Sequence, residues 1–287
     1  MRFAALALAL LAACRTGPLA RSVDPDARDW VQLFDGQSLR GWTPKFKGRA
    51  LGENLYETFR VADGLLQVRY DRWPRFQGEF GHLVYERPFS HYVVAAEYRF
   101  VGEQAAGLGA DYAWARRNNG IMVASQSAES MGIDQDFPIS LEVQLLGGLG
   151  TGARPTANLC TPGTHVRFGD SLVTEHCINS RSRTFDGDQW VRVEAVVLGD
   201  SLITHVVNGD TVLRYRKPVM GGSMANGARP GVLREGAPIT SGYIAIQAET
   251  APIDFRKIEV LNLEGCMDPR SRSYKRYYVK PSPEACR

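Results

Sequence analysis

The chain has 287 residues, 44% of them hydrophobic by type, with 34 Lys and Arg against 31 Asp and Glu and a formal net charge of +3. That length allows one large domain or two small ones with a real apolar core. The near balance of charge, with no Lys/Arg run interleaved with aromatics, excludes nucleic acid as an expected partner.

Residues 1–13 read as a targeting segment. Arg2 supplies a positive start, and the apolar run 3–11 is too short to span a bilayer. Leu11-Ala12-Ala13-Cys14 resembles a bacterial lipobox, which implies cleavage before Cys14 and lipidation of its thiol; an ordinary secretory signal is the alternative. Each acyl CH₂ buried in a membrane contributes ~0.8 kcal/mol. Residues 14–29, with Pro18 and Pro25 and no periodicity, read as a polar tether. The expected location is the cell envelope, lipid-anchored, on the outer membrane or periplasmic side, because Arg15 does not look like an inner-membrane retention signal. No linker interrupts residues 30–263, so one domain is expected there, with 264–287 as a small appendage.

Of five cysteines, Cys14 is assigned to the lipid, which leaves Cys160, Cys177, Cys266 and Cys286. An even number in an oxidising compartment suggests disulfides. Neighbours in sequence would pair as Cys160–Cys177 and Cys266–Cys286, each closing a short loop and contributing ~3 kcal/mol. A zinc site is disfavoured, since no Cys-x₂₋₄-Cys pair occurs.

Alternation predicts strands along nearly the whole domain. Residues 59–61 and 65–70 form a hairpin around Asp63-Gly64, with Leu66, Val68 and Tyr70 inward. Short strands follow at 82–85 and 120–124. In 92–100, Val94, Ala96, Tyr98 and Phe100 share one side, and Val93, Ala95, Glu97 and Arg99 the other. In 139–146, Ile139, Leu141, Val143 and Leu145 can enter a core, which leaves Ser140, Glu142, Gln144 and Leu146 opposite. Residues 147–188, rich in Gly, Thr, Ser and Pro, read as a long functional loop. Strands resume at 190–197 and 201–207; Asn208-Gly209 then turns the chain into 211–215. Strands at 242–247 and 253–260 complete the set, and no helix of ten or more residues is predicted. The sum is an all-β, two-sheet sandwich with one concave ligand face.

Several motifs then coincide. Leu33-Phe-Asp-Gly-Gln-Ser-Leu-Arg-Gly-Trp42, Asn118-Asn-Gly-Ile121, Leu141-Glu-Val-Gln-Leu145, Gly242-Tyr-Ile-Ala-Ile-Gln247 and Ile253-Asp-Phe-Arg-Lys-Ile258 occur in this order. Together they resemble the 3-keto-disaccharide hydrolase domain family, long listed as a domain of unknown function. The resemblance spans residues 30–263 and implies a concanavalin-like, jelly-roll sandwich that cleaves glycosides oxidised to a ketone at C3. The chain departs from the family where Gly147 stands in place of a frequent Asp, and where Gln247-Ala-Glu-Thr250 replaces a frequent "L-Q-x-H-G". The tail from Gly265 to Cys286 looks like the Cys-bracketed repeats of bacterial surface proteins.

The implied chemistry assigns candidates. A C3 ketone acidifies the C2 proton, so a base can remove it while the C1 substituent leaves. Glu142 is the first choice as base and His82 the second. Glu97, Arg99, Trp114, Asn119 and Gln144 are the candidate sugar-binding residues. Arg99 is expected either to stabilise the enolate or to pair with Glu97, and Glu97 is the second acid should the enzyme be an ordinary two-carboxylate glycosidase. Trp114 could stack on a sugar or fill the core, and Asn119 could serve a turn. The cofactor stays open. A divalent metal held by His165, His176 and Glu142 is one option, against exposed bystander histidines. Glu249 reads as a surface acid or a ligand. The leading reading is a lipid-anchored enzyme on 3-keto glycosides; the alternatives are a non-catalytic carbohydrate-binding lipoprotein and a structural surface protein.

Overall fold

A computed structural model describes residues 29–287. The signal segment, the lipidation of Cys14 and most of the tether lie outside the described residues. Two antiparallel sheets face each other across one core. In the larger sheet the strand order is Ser171–Val173, Thr164–Phe168, Asp210–Met220, Leu202–Val207, Val191–Leu198, His91–Phe100, Ile253–Asn262, Leu65–Val68, Phe59–Ala62, with Val31–Gln32 also paired to Ile253–Asn262. In the smaller sheet it is Cys177–Ile178, Asn158–Cys160, Leu141–Leu146, Asn118–Ser125, Tyr243–Ala248, Gly81–Tyr85, Trp42–Phe46. Pro44 sits in the last of these, an edge strand, where a missing N–H costs no ladder bond.

The alternation read from sequence is what packs the core. Val94, Ala96, Tyr98 and Phe100 from the larger sheet meet Leu141, Val143 and Leu145 from the smaller in a single buried cluster. Each such large apolar side chain contributes ~1.5–3 kcal/mol on burial. The hairpin turns behave as their residues demand: Asp63 and Gly64, like Asn208 and Gly209, all take positive φ, the two-residue geometry that matches the strand twist. Helical structure among the described residues is limited to short 3₁₀ turns, such as Ala110–Ala115.

Two expectations are corrected. The strand predicted from 139 begins at Leu141, because the Ile139 amide is taken by the Gln126 side chain at 2.7 Å and leaves the ladder. The stretch 147–188 is not a structureless loop. It holds four short strands, Asn158–Cys160, Thr164–Phe168, Ser171–Val173 and Cys177–Ile178, two joining each sheet. Their pattern is too short to show as alternation, and the Cys160–Cys177 disulfide ties two of them as directly opposed partners.

The second disulfide, Cys266–Cys286, closes the C-terminal segment. There Glu264–Gly265 and Lys280–Pro281 pair in parallel. Lys280 donates to Glu264 at 2.9 Å and to Ser90 at 3.1 Å, and Lys275 pairs with Asp29 at 2.9 Å, so this segment is tied to the sandwich at more than one point.

Candidate active site

The outer face of the smaller sheet carries the chemistry. Leu141, Val143 and Leu145 face the core, so Glu142 and Gln144 face out. Neighbouring strands follow the same parity. Ile121 and Val123 pack inward and Met122 outward; Ile244, Ile246 and Ala248 pack inward and Ala245 outward; Leu83 packs inward and Val84 outward. The outward set therefore also includes Asn118, Gly120, Gln247 and His82. Register places Glu142 opposite Met122 and Cys160, Gln144 opposite Gly120 and Asn158, and Gln247 opposite His82.

Gly120 is the gap in this face. A Cβ there would collide with the Cγ, Cδ and Oε1 atoms of Glu142. The missing side chain lets the Glu142 carboxyl lie flat over the neighbouring strand. Segments from elsewhere wall the space above it. Trp114 comes from the Ala110–Ala115 turn, Phe137 from the approach to the Glu142 strand, Pro162, His176 and Cys177 from the disulfide-tied region, and Met224 from a later loop. With Asn118, Glu142, Gln144, Cys160 and Glu249 they enclose a cavity of about 190 Å³. The walls are interlocked: Asp136 N–H donates to Asn226 O at 3.0 Å, and Gly163 N–H to Ser223 O at 2.7 Å.

Two acids share this cavity. Glu142 is 5% exposed and Glu249 4%. Burial raises the Glu142 carboxyl to about 8. Burial, and then the Glu142 charge, pushes Glu249 well above the ordinary carboxylate range. Polar atoms around them lack partners: Oε1 of Glu142, Oδ1 of Asn118, both side-chain polar atoms of Gln247 and both ring nitrogens of His82. Buried polar groups are normally satisfied, so such a cluster marks a place built to meet something else. His205 gives the contrast. It is equally buried, but its nitrogens meet Ala157 O and the Tyr215 hydroxyl, each at 2.9 Å.

The structure gathers some of the sequence candidates and scatters others. Glu142, Gln144, Trp114 and His176 line the cavity. Trp114 is 49% exposed, so it is a wall at the cavity mouth rather than a core residue. Gln144 accepts from Asn158 Nδ2 at 3.0 Å. His82 is fully buried, packs edge-on against Phe137 and is not itself a cavity wall; burial and the nearby Lys45 charge push its imidazole down to about 3. It is neutral at every ordinary pH.

Asn119 faces the core side with Ile121 and Val123, and donates to Gln247 O at 2.7 Å. That bond braces the strand beneath the cavity and corrects the expectation of a direct sugar contact. Glu97 and Arg99 belong to the other sheet, on its outer face, which corrects their placement beside Glu142. They do not pair with each other: Glu97 bonds Arg256 at 2.5 Å and Arg192 at 3.5 Å, while Arg99 meets Asp254 at 3.0 Å. One strand's alternation cannot reveal which sheet it joins.

The expected histidine pair for a metal does not form. His165 lies in the larger sheet, against Gly221, Gly222 and Glu235, while His176 lines the cavity. Among the described residues, the one group of three metal-type side chains is Cys160, His176 and Cys177, and its two sulfurs are bonded to each other. That donor set does not suit a metal while the disulfide stands. Glu249, for which the sequence offered a surface acid or a ligand, is the second cavity carboxyl. Its parity with Gln247 and Ala245 was the available signal; the bend beyond Ala248, where Thr250 takes positive φ, hid its direction.

The site is thus a carboxyl-lined cavity over one outer face of a two-sheet sandwich. The chain belongs to the 3-keto-alpha-glucoside-1,2-lyase-like domain family, whose model matches residues 29–261. Among solved structures it is similar to a "putative glycosyl hydrolase" from Parabacteroides distasonis, at 13% identity and TM-score 0.50, covering 83% of this chain and 97% of that one. It also resembles the carbohydrate binding module CBM66 from Bacillus subtilis, at 9% identity and TM-score 0.44, covering 77% and 96%. These likenesses concern the fold. No curated protein matches the chain.

Proposed function

We propose that the chain is an enzyme that cleaves the glycosidic bond of 3-keto glycosides, with Glu142 and Glu249 handling the protons. The observation that carries this reading is the pair of buried carboxyls in one cavity, with an unpartnered oxygen on Glu142. β-Elimination needs both members of such a pair. A carboxylate takes the C2 proton that the ketone acidifies, the C1–C2 double bond forms as the C1–O bond breaks, and a carboxylic acid protonates the departing oxygen. Water then adds to the unsaturated product. Two interacting carboxyls hold one proton between them over a wide pH range, which keeps a base and an acid present together. Glu142, whose unpartnered oxygen faces the cavity, is the base; Glu249, which burial and the Glu142 charge both favour in its protonated form, is the acid. Trp114 offers a stacking face at the mouth, and Gln144 and Asn118 offer amides to hydroxyls.

The test is product formation from a 3-keto disaccharide and from its unoxidised parent, using wild type, Glu142→Gln, Glu249→Gln and a chelator-treated sample. Turnover of the keto sugar alone, lost in both variants, is expected. Turnover of the parent sugar would make this a conventional glycosidase with the same carboxyl pair. Binding without turnover of either would favour a carbohydrate-binding module, to which the exposed Trp114 is also suited. Loss of activity on chelation would reopen the question of a metal. Anchoring through Cys14 belongs to the same reading: Cys14→Ser is expected to move the protein from the membrane to the soluble envelope fraction.

A further inference from the structure

Arg116 and Arg117 join the Trp114-bearing turn to the strand that begins at Asn118. With Glu103, Gln104, Ala251 and Pro252 they line a second hollow of about 150 Å³. Its lining residues differ from those of the first cavity but adjoin them along the chain. Asn118, a wall of the cavity, directly follows Arg117, and Ala251 lies two residues beyond Glu249.

The charge here is unbalanced. Arg116 is exposed and, among the described residues, forms no ion pair. Arg117 lies over the Phe100 ring at 5.5 Å and donates to Gly187 O; its one acid is the exposed Asp188 at 3.5 Å, and its buried Nε has no acceptor. Behind them Arg154 donates to Gly147 O at 2.5 Å and to Arg117 O and Trp114 O, each at 3.2 Å. All partners of its guanidinium are carbonyls. Burial and the repulsion of Arg117 and Arg116 push its guanidinium down to about 10. Glu103 stands on the hollow's wall but pairs with none of the three. Three guanidiniums thus gather here against two exposed acids, Asp188 paired to Arg117 and Glu103 paired to none of them. Like charges held together without counter-ions destabilise a site unless a ligand supplies the opposite charge.

We propose that this hollow is the subsite for the second sugar or other leaving group, and that it takes an anionic substituent on that group: a uronic carboxylate, or a sulfate or phosphate ester. The inference rests on the neighbouring cavity being a sugar site. Arg116 is the reader, because its planar fork is free to face such an oxyanion. Arg117 and Arg154 are positioning residues, fixed by Phe100 and by the carbonyls.

The experiment is calorimetric titration of three unreactive probes: a glucosyl-glucuronic acid disaccharide, its neutral glucosyl-glucose counterpart, and the same neutral disaccharide carrying a 6-sulfate. The proteins are wild type, Arg116→Gln and Arg116→Lys. Wild type is expected to bind at least one anionic probe about tenfold more tightly than the neutral one at low salt, with the advantage shrinking as salt screens it. Preference for the acid over the sulfate, or the reverse, identifies the substituent. Arg116→Gln should erase the preference, while Arg116→Lys should keep part of it. Equal binding of all probes, or a preference that survives Arg116→Gln, overturns the subsite and leaves the cleavage reading untouched. Binding of no probe overturns the subsite together with the sugar site beside it. Selective binding of an anion by a protein that turns over no keto sugar sustains the subsite while the cleavage reading fails.

Discussion

At the scale of single residues, Glu142 carries a cost that can be measured apart from any activity. In the unfolded chain its carboxyl titrates near 4.5, whereas the folded chain holds the proton to about 8. Between those values the folded state binds the extra proton, so stability falls as pH rises, by up to ~1.4 kcal/mol per pH unit, and the loss is complete above the folded pKa. Glu142→Gln removes this dependence. Between pH 5 and pH 9 the wild-type melting temperature should fall further than that of the variant, and equal falls would contradict the buried, proton-holding carboxyl. The same group as base predicts that kcat/KM on a 3-keto disaccharide rises through about pH 8 as Glu142 ionises, with a descending limb at higher pH where Glu249 loses its proton. Gly120 offers a third test, since a methyl there must displace the Glu142 carboxyl. A shift of that size is expected to cost about 100-fold in turnover. Glu142 would be reoriented rather than removed, so the unusual pH dependence of stability should weaken along with activity.

At the scale of elements, the alternating strands were legible because one face of each is apolar without interruption. Leu141, Val143 and Leu145 sit in the core as their spacing demands, and Asp63-Gly64 and Asn208-Gly209 make the turns their residues favour. Glu142 was legible for the same reason, as the acid on the wet side of a strand with an apolar inner face. What the spacing could not carry was long-range. The strands at Asn158–Cys160 and Cys177–Ile178 are only three and two residues long, and they exist because Cys160 and Cys177 are cross-linked opposite each other. They bring His176 to the cavity, and His165, only eleven residues earlier, goes to the other sheet. Replacing both cysteines with serine is expected to destabilise the protein by ~3 kcal/mol. It should also raise KM more than it lowers kcat, because the disulfide-tied wall touches the cavity while Glu142 sits on a longer strand and Glu249 just past the end of another. An unchanged KM would mean that this wall does not meet the substrate.

At the scale of the whole molecule, the sandwich presents two polar outer faces, and local sequence treats them alike. Glu97 and Arg99 alternate with core residues just as Glu142 and Gln144 do. The difference lies in what surrounds them. On the larger sheet the charges around Glu97 and Arg99 meet opposite ones: Glu97 with Arg192 and Arg256, Glu259 with Arg192 and Lys257, and Asp254 with Arg69 and Arg99, while Trp190 lies between the guanidiniums of Arg99 and Arg256 at 4.7 and 4.6 Å. On the smaller sheet the carboxyls are roofed over, and the polar atoms near them stay unmatched. A satisfied ladder on a sheet face contributes little per pair, about 0–1 kcal/mol, and does no chemistry. Unsatisfied groups in a closed space are destabilising, and a cluster of them around one cavity marks a place for a ligand to meet. Paired substitutions on the two faces separate these cases. Glu97→Gln should change stability by about 1 kcal/mol or less and leave both sugar binding and turnover as in wild type. Glu249→Gln, which alters a carboxyl of similar size on the other face, should abolish turnover and raise the melting temperature at pH values above the ordinary carboxylate range, since it removes a buried acid that resists ionisation. If Glu97→Gln impaired turnover as much as Glu249→Gln, the working face would have to be sought on the larger sheet, and the cavity over Glu142 would be a packing feature.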